Sequence, residues 1–162
     1  RTWQCGTIQL DFQMPQNFEL EYVAEDGSKK RPIMIHRVVY GSIERFIGII
    51  TEHFAGKFPT WLAPTQVKVL PVSDKSMAYA EKVYEALRGA KVRAELDDRN
   101  EKIGYKIRYA RQVDRVPYML IIGEKEVQDG TISVRDRDTD QTTVMTMDEF
   151  LAKLTGEIKN RI

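Results

Sequence analysis

The sequence predicts an α/β (α+β) chain in two parts. A short first part has antiparallel strands with flanking helices, and a second part is an α/β domain with a mixed sheet and three helices. Three observations predict this. The early strands alternate in polarity and meet around an Asp26-Gly27 hairpin turn. A proline-bearing stretch, FPTWLAPTQ, cannot continue a helix and reads as a linker, with the border between residues 1–63 and 64–162. Beyond it the order β-α-β-α-β-β-β-α calls for a mixed sheet covered by helices.

The elements follow in order. In TIQLDF (7–12), Ile8, Leu10 and Phe12 share one face and Thr7, Gln9 and Asp11 the other, a half-buried strand with a very polar second face. Phe18, Leu20 and Tyr22 alternate with Glu19 and Glu21, and RPIMIHRVV is expected to return against them after the turn. In that return strand Met34, His36 and Val38 point one way. Ser42 is the expected N-cap of a helix whose stripe is Ile43, Phe46, Ile47, Ile50 and Phe54, with Arg45 nearly opposite. Gly56 stops it. VKVLPVS is a strand, and Ser73 or Asp74 caps a helix through Arg88. KVRAEL is the next strand. Residues 101–114 form a helix with Ile103, Ile107, Ala110 and Val113 inward. YMLIIG is a strand buried on both faces. TISVRDR and TTVMT make a hairpin, and Asp148 opens a last helix.

Composition narrows the function classes. Lysine plus arginine number 25 against 24 acids, which argues against bulk non-specific binding to polyanions but allows a local basic face. The single cysteine, Cys5, excludes an internal disulfide and suits a reducing, cytoplasmic setting. No apolar run approaches the ~20 residues of a membrane span. The sequence starts at Arg1 and is already in a strand at Thr7, so a piece of a longer protein is expected.

Few residue patterns speak for chemistry. The chain has no glycine-rich phosphate loop, no CxxC and no HExxH. His36 and His53, its two histidines, show no triad spacing. On pattern alone His36 reads as a satisfied core or surface histidine, and Arg45 faces water or something on the sheet side. Lys102, Lys106, Arg108, Arg111 and Arg115 crowd one helix, away from its apolar stripe. They read as a solvated face or as contacts for nucleic-acid phosphates. Tyr105 and Tyr109 interleave with them and could stack on bases, at about 1–3 kcal/mol each.

The segments TWQCGTIQLDF, MIHRVVYGSIERFIGIITEHFAGKFPTWLAP and DDRNEKIGYKIR…RVPYMLIIGEKEV resemble threonyl-tRNA synthetase of bacterial type, over essentially the whole chain. The resemblance implies that the first part is the end of a class II synthetase catalytic domain and the second an anticodon-binding domain. GSIERF matches the third class II signature, so Arg45 would lie on the adenine and phosphate side of ATP, which the family uses with Mg2+. A planar, permanently charged guanidinium can stack on a base and face a phosphate together. His36 matches one protein ligand of an active-site Zn2+, whose other cysteine and histidine ligands precede this sequence in the family. That zinc takes the amino group and hydroxyl of threonine, so it rejects valine, which lacks the hydroxyl.

Gln4, Cys5, Thr7, Gln9 and Ser42 match positions lining the adenylate and threonine pocket. Asn100, Glu126 and Arg135 match positions that read anticodon bases, with the basic helix near the phosphates. Between Ile107 and Val116 this chain is slightly longer than the family pattern. The resemblance implies a threonine–tRNA ligase that joins threonine to its tRNA through an adenylate, and a homodimer in its full length. The first two class II motifs are absent from these residues, so this chain alone is expected not to make adenylate. The alternative is a non-catalytic tRNA- or RNA-binding module.

Overall fold

The computed structural model describes residues 2–161. The chain divides into two compact units, one ending at His53 and the other running from Phe54.

In the first unit β1 (Thr7–Asp11) pairs antiparallel with β4 (Met34–Val38), with Gln9 opposite His36 and Thr7 opposite Val38. Cross-strand partners share a face, so Thr7, Gln9, Asp11, His36 and Val38 line one side, and Ile8, Leu10, Ile35 and Arg37 the other. The expected long hairpin is therefore corrected: β4 returns against β1, not against Phe18–Tyr22. The residues after β1 fold into a short helix, α1 (Gln13–Asn17), because the Asp11 carboxylate accepts the Gln13 and Met14 N–H groups, each at 2.9 Å. Pro15 is tolerated in that first turn. The Asp26-Gly27 turn survives as a small hairpin of β2 (Tyr22–Val23) and β3 (Lys29–Lys30). α2 (Ile43–His53) starts at Ser42, whose Oγ accepts the Arg45 N–H at 3.3 Å. None of its residues is buried, and Ile43 and Ile47 are 65% and 52% exposed.

The second unit is built on a five-stranded sheet in the order β6-β5-β7-β8-β9. The strands are β5 (Val67–Pro71), β6 (Ala94–Leu96), β7 (Tyr118–Ile122), β8 (Ile132–Asp136) and β9 (Thr142–Met145). β5 runs parallel to β6 and β7, and β8 and β9 continue antiparallel. α3 (Asp74–Gly89) and α6 (Met147–Asn160) cover one face over Val67, Val69, Leu120, Ile122 and Val134. α4 (Ile103–Gln112) covers the other over Leu70 and Met119.

Three local expectations change. Thr146, not Asp148, opens α6, through a reciprocal pair in which Glu149 N–H donates to Thr146 Oγ1 and Thr146 N–H to Glu149 Oε2. Val113 lies past the end of α4 and is 60% exposed. A fourth helix, α5 (Glu124–Asp129), joins β7 to β8, and ends at Gly130 in the left-handed region that glycine tolerates.

The linker expected to separate the parts up to Pro64 is fastened to the second unit. Gln66 Nε2 donates to the Thr60 carbonyl, Thr60 Oγ1 to Glu157, and Arg93 to the Ala63 and Trp61 carbonyls. Proline stops a helix, but it does not stop a segment from bonding to a neighbouring sheet. Among the described residues no helix is long and apolar enough to cross a membrane.

Candidate functional site

In the first unit the β1/β4 pairing gathers Thr7, Gln9 and His36 around an open groove of about 430 Å³. Asp11, on the same face, was not singled out from the sequence. Its Oδ2 lies 3.0 Å from His36 Nε2. The Met14 N–H and then His36 hold the Asp11 carboxyl below its ordinary value. It is therefore ionised at neutral pH and orients the imidazole. An ionised carboxylate only accepts, so it is the imidazole Nε2–H that donates in this bond. The alternation of TIQLDF already put Asp11 beside Gln9, so the signal was present.

The chain before β1 passes the end of β4. A side chain at Gly41, which has φ +68°, would meet the Cys5 carbonyl at 3.5 Å. This brings Cys5 beside the Gly41-Ser42 turn. Ser42 Oγ also donates to Glu44 at 2.6 Å, a bond that lowers the Glu44 pKa. Arg45 is exposed and its guanidinium carbon lies 5.5 Å from the centre of the Trp3 ring. Gln4 is exposed in the segment that precedes β1. A guanidinium over an indole is held flat without losing its charge.

The second unit places Asn100, exposed, in the loop after β6. The parallel strands bring that loop and α5, which carries Glu126, to the same end of the sheet. Glu126 accepts the Gly123 N–H at 2.9 Å and Ser133 Oγ at 2.7 Å. Burial pushes its carboxyl up, but the Ser133 bond and the backbone outweigh this and leave it lowered. Arg135 lies opposite Met119 near the start of β7, on the α4 face of the sheet. Its guanidinium grips Asp140 through Nε at 2.9 Å and Nη2 at 2.7 Å, and Arg111 reaches the same carboxylate at 2.9 Å.

The basic helix is less basic outward than its sequence implies. Lys106 is buried at 4% exposure and donates to the Pro71 and Asp97 carbonyls at 3.2 and 3.0 Å. It is a pin between strand ends, not a phosphate contact. At 100° per residue it lies only about 60° from the middle of the apolar stripe. Beside it Asp97, fully buried at its side chain, takes a fork from Arg99 at 2.8 and 2.6 Å. Arg99 sits 4.6 Å from the Tyr109 ring centre and 5.8 Å from that of Tyr105. Both tyrosine faces expected to stack on bases therefore already meet an arginine. Lys68 adds a second cation over Tyr109 and pairs with Asp114.

A mixed sheet with helices on both faces and polar loops at one end is the frame of an anticodon-binding domain. A family model described as "Anticodon binding domain" matches residues 66–157, and one described as "tRNA synthetase class II core domain (G, H, P, S and T)" matches residues 1–54. The chain belongs to the anticodon-binding domain family. In particular it is similar to threonine–tRNA ligases, as its quoted segments imply. That of Caldanaerobacter subterraneus subsp. tengcongensis is 63% identical over 161 residues, covering 99% of this chain and 25% of the relative. That of Clostridioides difficile is 60% identical over the same shares. The chain thus spans about a quarter of the length of these relatives.

Among solved structures, the RNA binding domain of threonyl-tRNA synthetase from Cryptosporidium parvum aligns with a TM-score of 0.82 at 39% identity, covering 96% of this chain and 40% of that one. Prolyl-tRNA synthetase from the same organism aligns at 0.73 and 24% identity, covering 97% of this chain and 34% of that one, a likeness of fold.

Proposed function

We propose that this chain is the C-terminal part of a cytoplasmic, homodimeric threonine–tRNA ligase, which activates threonine with ATP and Mg2+ and transfers it to threonine tRNA. The reading is carried by likeness to such ligases over 99% of the chain. The first unit contributes one wall of the active site. Arg45 lies against the adenine and phosphates of ATP, with Gln4, Cys5, Thr7, Gln9 and Ser42 lining the adenylate and threonine pocket.

His36 is the zinc ligand this chain contributes. The fit is partial: Asp11 orients the imidazole as outer carboxylates do for metal-bound histidines, but zinc needs about four ligands. Among the described residues no group of three metal-binding side chains occurs. The remaining ligands come from outside this chain. When bound, the zinc supplies a Lewis acid that distinguishes threonine's hydroxyl from valine's methyl. The chain's own part is to hold one imidazole in place through Asp11.

The second unit reads the anticodon through Asn100, Glu126 and Arg135. Binding of anticodon-hairpin RNA tests this: the threonine anticodon should bind more tightly than a base-substituted one, and equal affinity would remove the reading. With Lys106 buried it drops out of the count, and each remaining cation that meets a single-stranded phosphate should steepen the log–log salt slope by about 0.7. The chain alone should give no threonine-dependent ATP–pyrophosphate exchange, and robust exchange would refute its being one wall of the site.

A further inference from the structure

We propose that a basic cavity in the second unit, lined by Lys57, Arg111, Arg115, Arg137 and Asp138, is a subsite for a phosphodiester group of an RNA backbone. It rests on the reading of this unit as an RNA binder. The cavity is open and measures about 570 Å³, ample for a phosphate group.

Its floor is fixed. Arg137 is buried, donates to the Phe58 and Arg115 carbonyls at 3.0 and 2.9 Å, and forks onto Asp138 at 3.0 and 2.8 Å. That fork holds the Asp138 carboxyl below its ordinary value, so it stays ionised, one negative charge among the cavity's four cations. Arg115 is clamped by its bonds to the Ala55 and Gln112 carbonyls. Carbonyl partners cancel none of its charge. Lys57 is exposed at the rim, and its charge is felt at Asp138. The cavity therefore carries an excess of positive charge, with Arg115 and Arg137 anchored on backbone carbonyls and Arg111 on Asp140.

Two features select a backbone phosphate over a base. Among the described residues no aromatic side chain lines the cavity, so it lacks the ring platforms on which successive bases stack. And the cavity is continuous with the base-reading face: Asp140 accepts from both Arg135 and Arg111, and Arg111 is a cavity residue. Arg111 spends one of its five N–H donors on that bridge. A strand whose base meets Arg135 has its neighbouring phosphate beside Arg111 and Lys57. Phosphate contacts of this kind fix register and carry no base identity.

The test is Lys57→Ala in this chain, with K57E as a second variant, measured against the threonine anticodon hairpin and a base-substituted hairpin over a salt series. Lys57 is exposed, and unchanged unfolding will show that the fold is intact. Losing one counterion-releasing contact should lower affinity about fivefold near 0.1 M salt, for both hairpins alike, and flatten the log–log slope by about 0.7. K57E should lower it further. Unchanged affinity and slope overturn the proposal. So does a loss confined to the threonine hairpin, which would make Lys57 a base reader. Inorganic phosphate provides the last arm: Lys57-dependent phosphate binding with no effect on RNA would assign the cavity to free phosphate instead. If the unmodified chain binds both hairpins equally, the anticodon reading fails while the Lys57 effect stands on its own.

Discussion

The two units of this chain have similar strand and helix patterns and end at opposite extremes of burial. In the second, β5 is buried along its whole length between α4 on one side and α3 and α6 on the other. In the first, Pro15 is the one buried residue among those described, and Ile8, Leu10, Phe12 and Ile35 are 60–69% exposed. Alternation defines which side of a strand is apolar; it does not supply the layer that covers it. The second unit supplies its own layers. The first presents an apolar face and a polar one, and buries neither.

Matched truncations should expose the contrast most strongly. Phe150→Ala, in the second core, should cost about 3–5 kcal/mol in denaturant unfolding. Phe12→Ala, on the open face, should change it by no more than about 0.5 kcal/mol. Equal costs would erase the distinction between the units.

A smaller effect separates two lysines of one helix. Lys106→Met should cost about 1–3 kcal/mol, because it leaves the Pro71 and Asp97 carbonyls buried without their donor. Lys102→Met, at the exposed start of α4, should fall within about 0.5 kcal/mol. Ser42→Ala should cost α2 about 1 kcal/mol through its lost cap, read as faster amide exchange in that helix with the second unit unmoved. Spread of the change into β5 or β7 would show the units to be energetically one.

Acid gives the mildest comparison. Asp97 and Asp138 are lowered first by their bonds to Arg99 and Arg137. A carboxyl that is more acidic folded than unfolded adds stability above its unfolded value of about 3.9. That stability is lost as pH falls through the lower, folded value. The second unit should therefore weaken only below about pH 4. A transition of the second unit near pH 6 would overturn this, because both histidines, His36 and His53, lie in the first unit.

Much of this was legible in the residues. The second unit's order of elements, the Ser42 cap, the shared face of Thr7, Gln9 and Asp11, and the family resemblance all came from pattern and identity. The partners were not. Asp11 beside His36, Trp3 beneath Arg45 and Asp140 between Arg111 and Arg135 join residues whose meeting depends on strand pairing and loop closure. α5 was missed because GEKEVQDG is too short and polar for a periodic stripe, although its cap, Gly123 N–H to Glu126, is local.

The sequence by itself determined the periodicities, the breaks at glycine and proline, and the chemical types available to each face, because these depend on neighbours along the chain. Tertiary structure decided that β4 returns to β1, that the proline linker belongs to the second unit, and that Lys106 points into the protein. Each of those turns on hydrogen bonds between residues far apart in the chain, whose energies no local pattern contains.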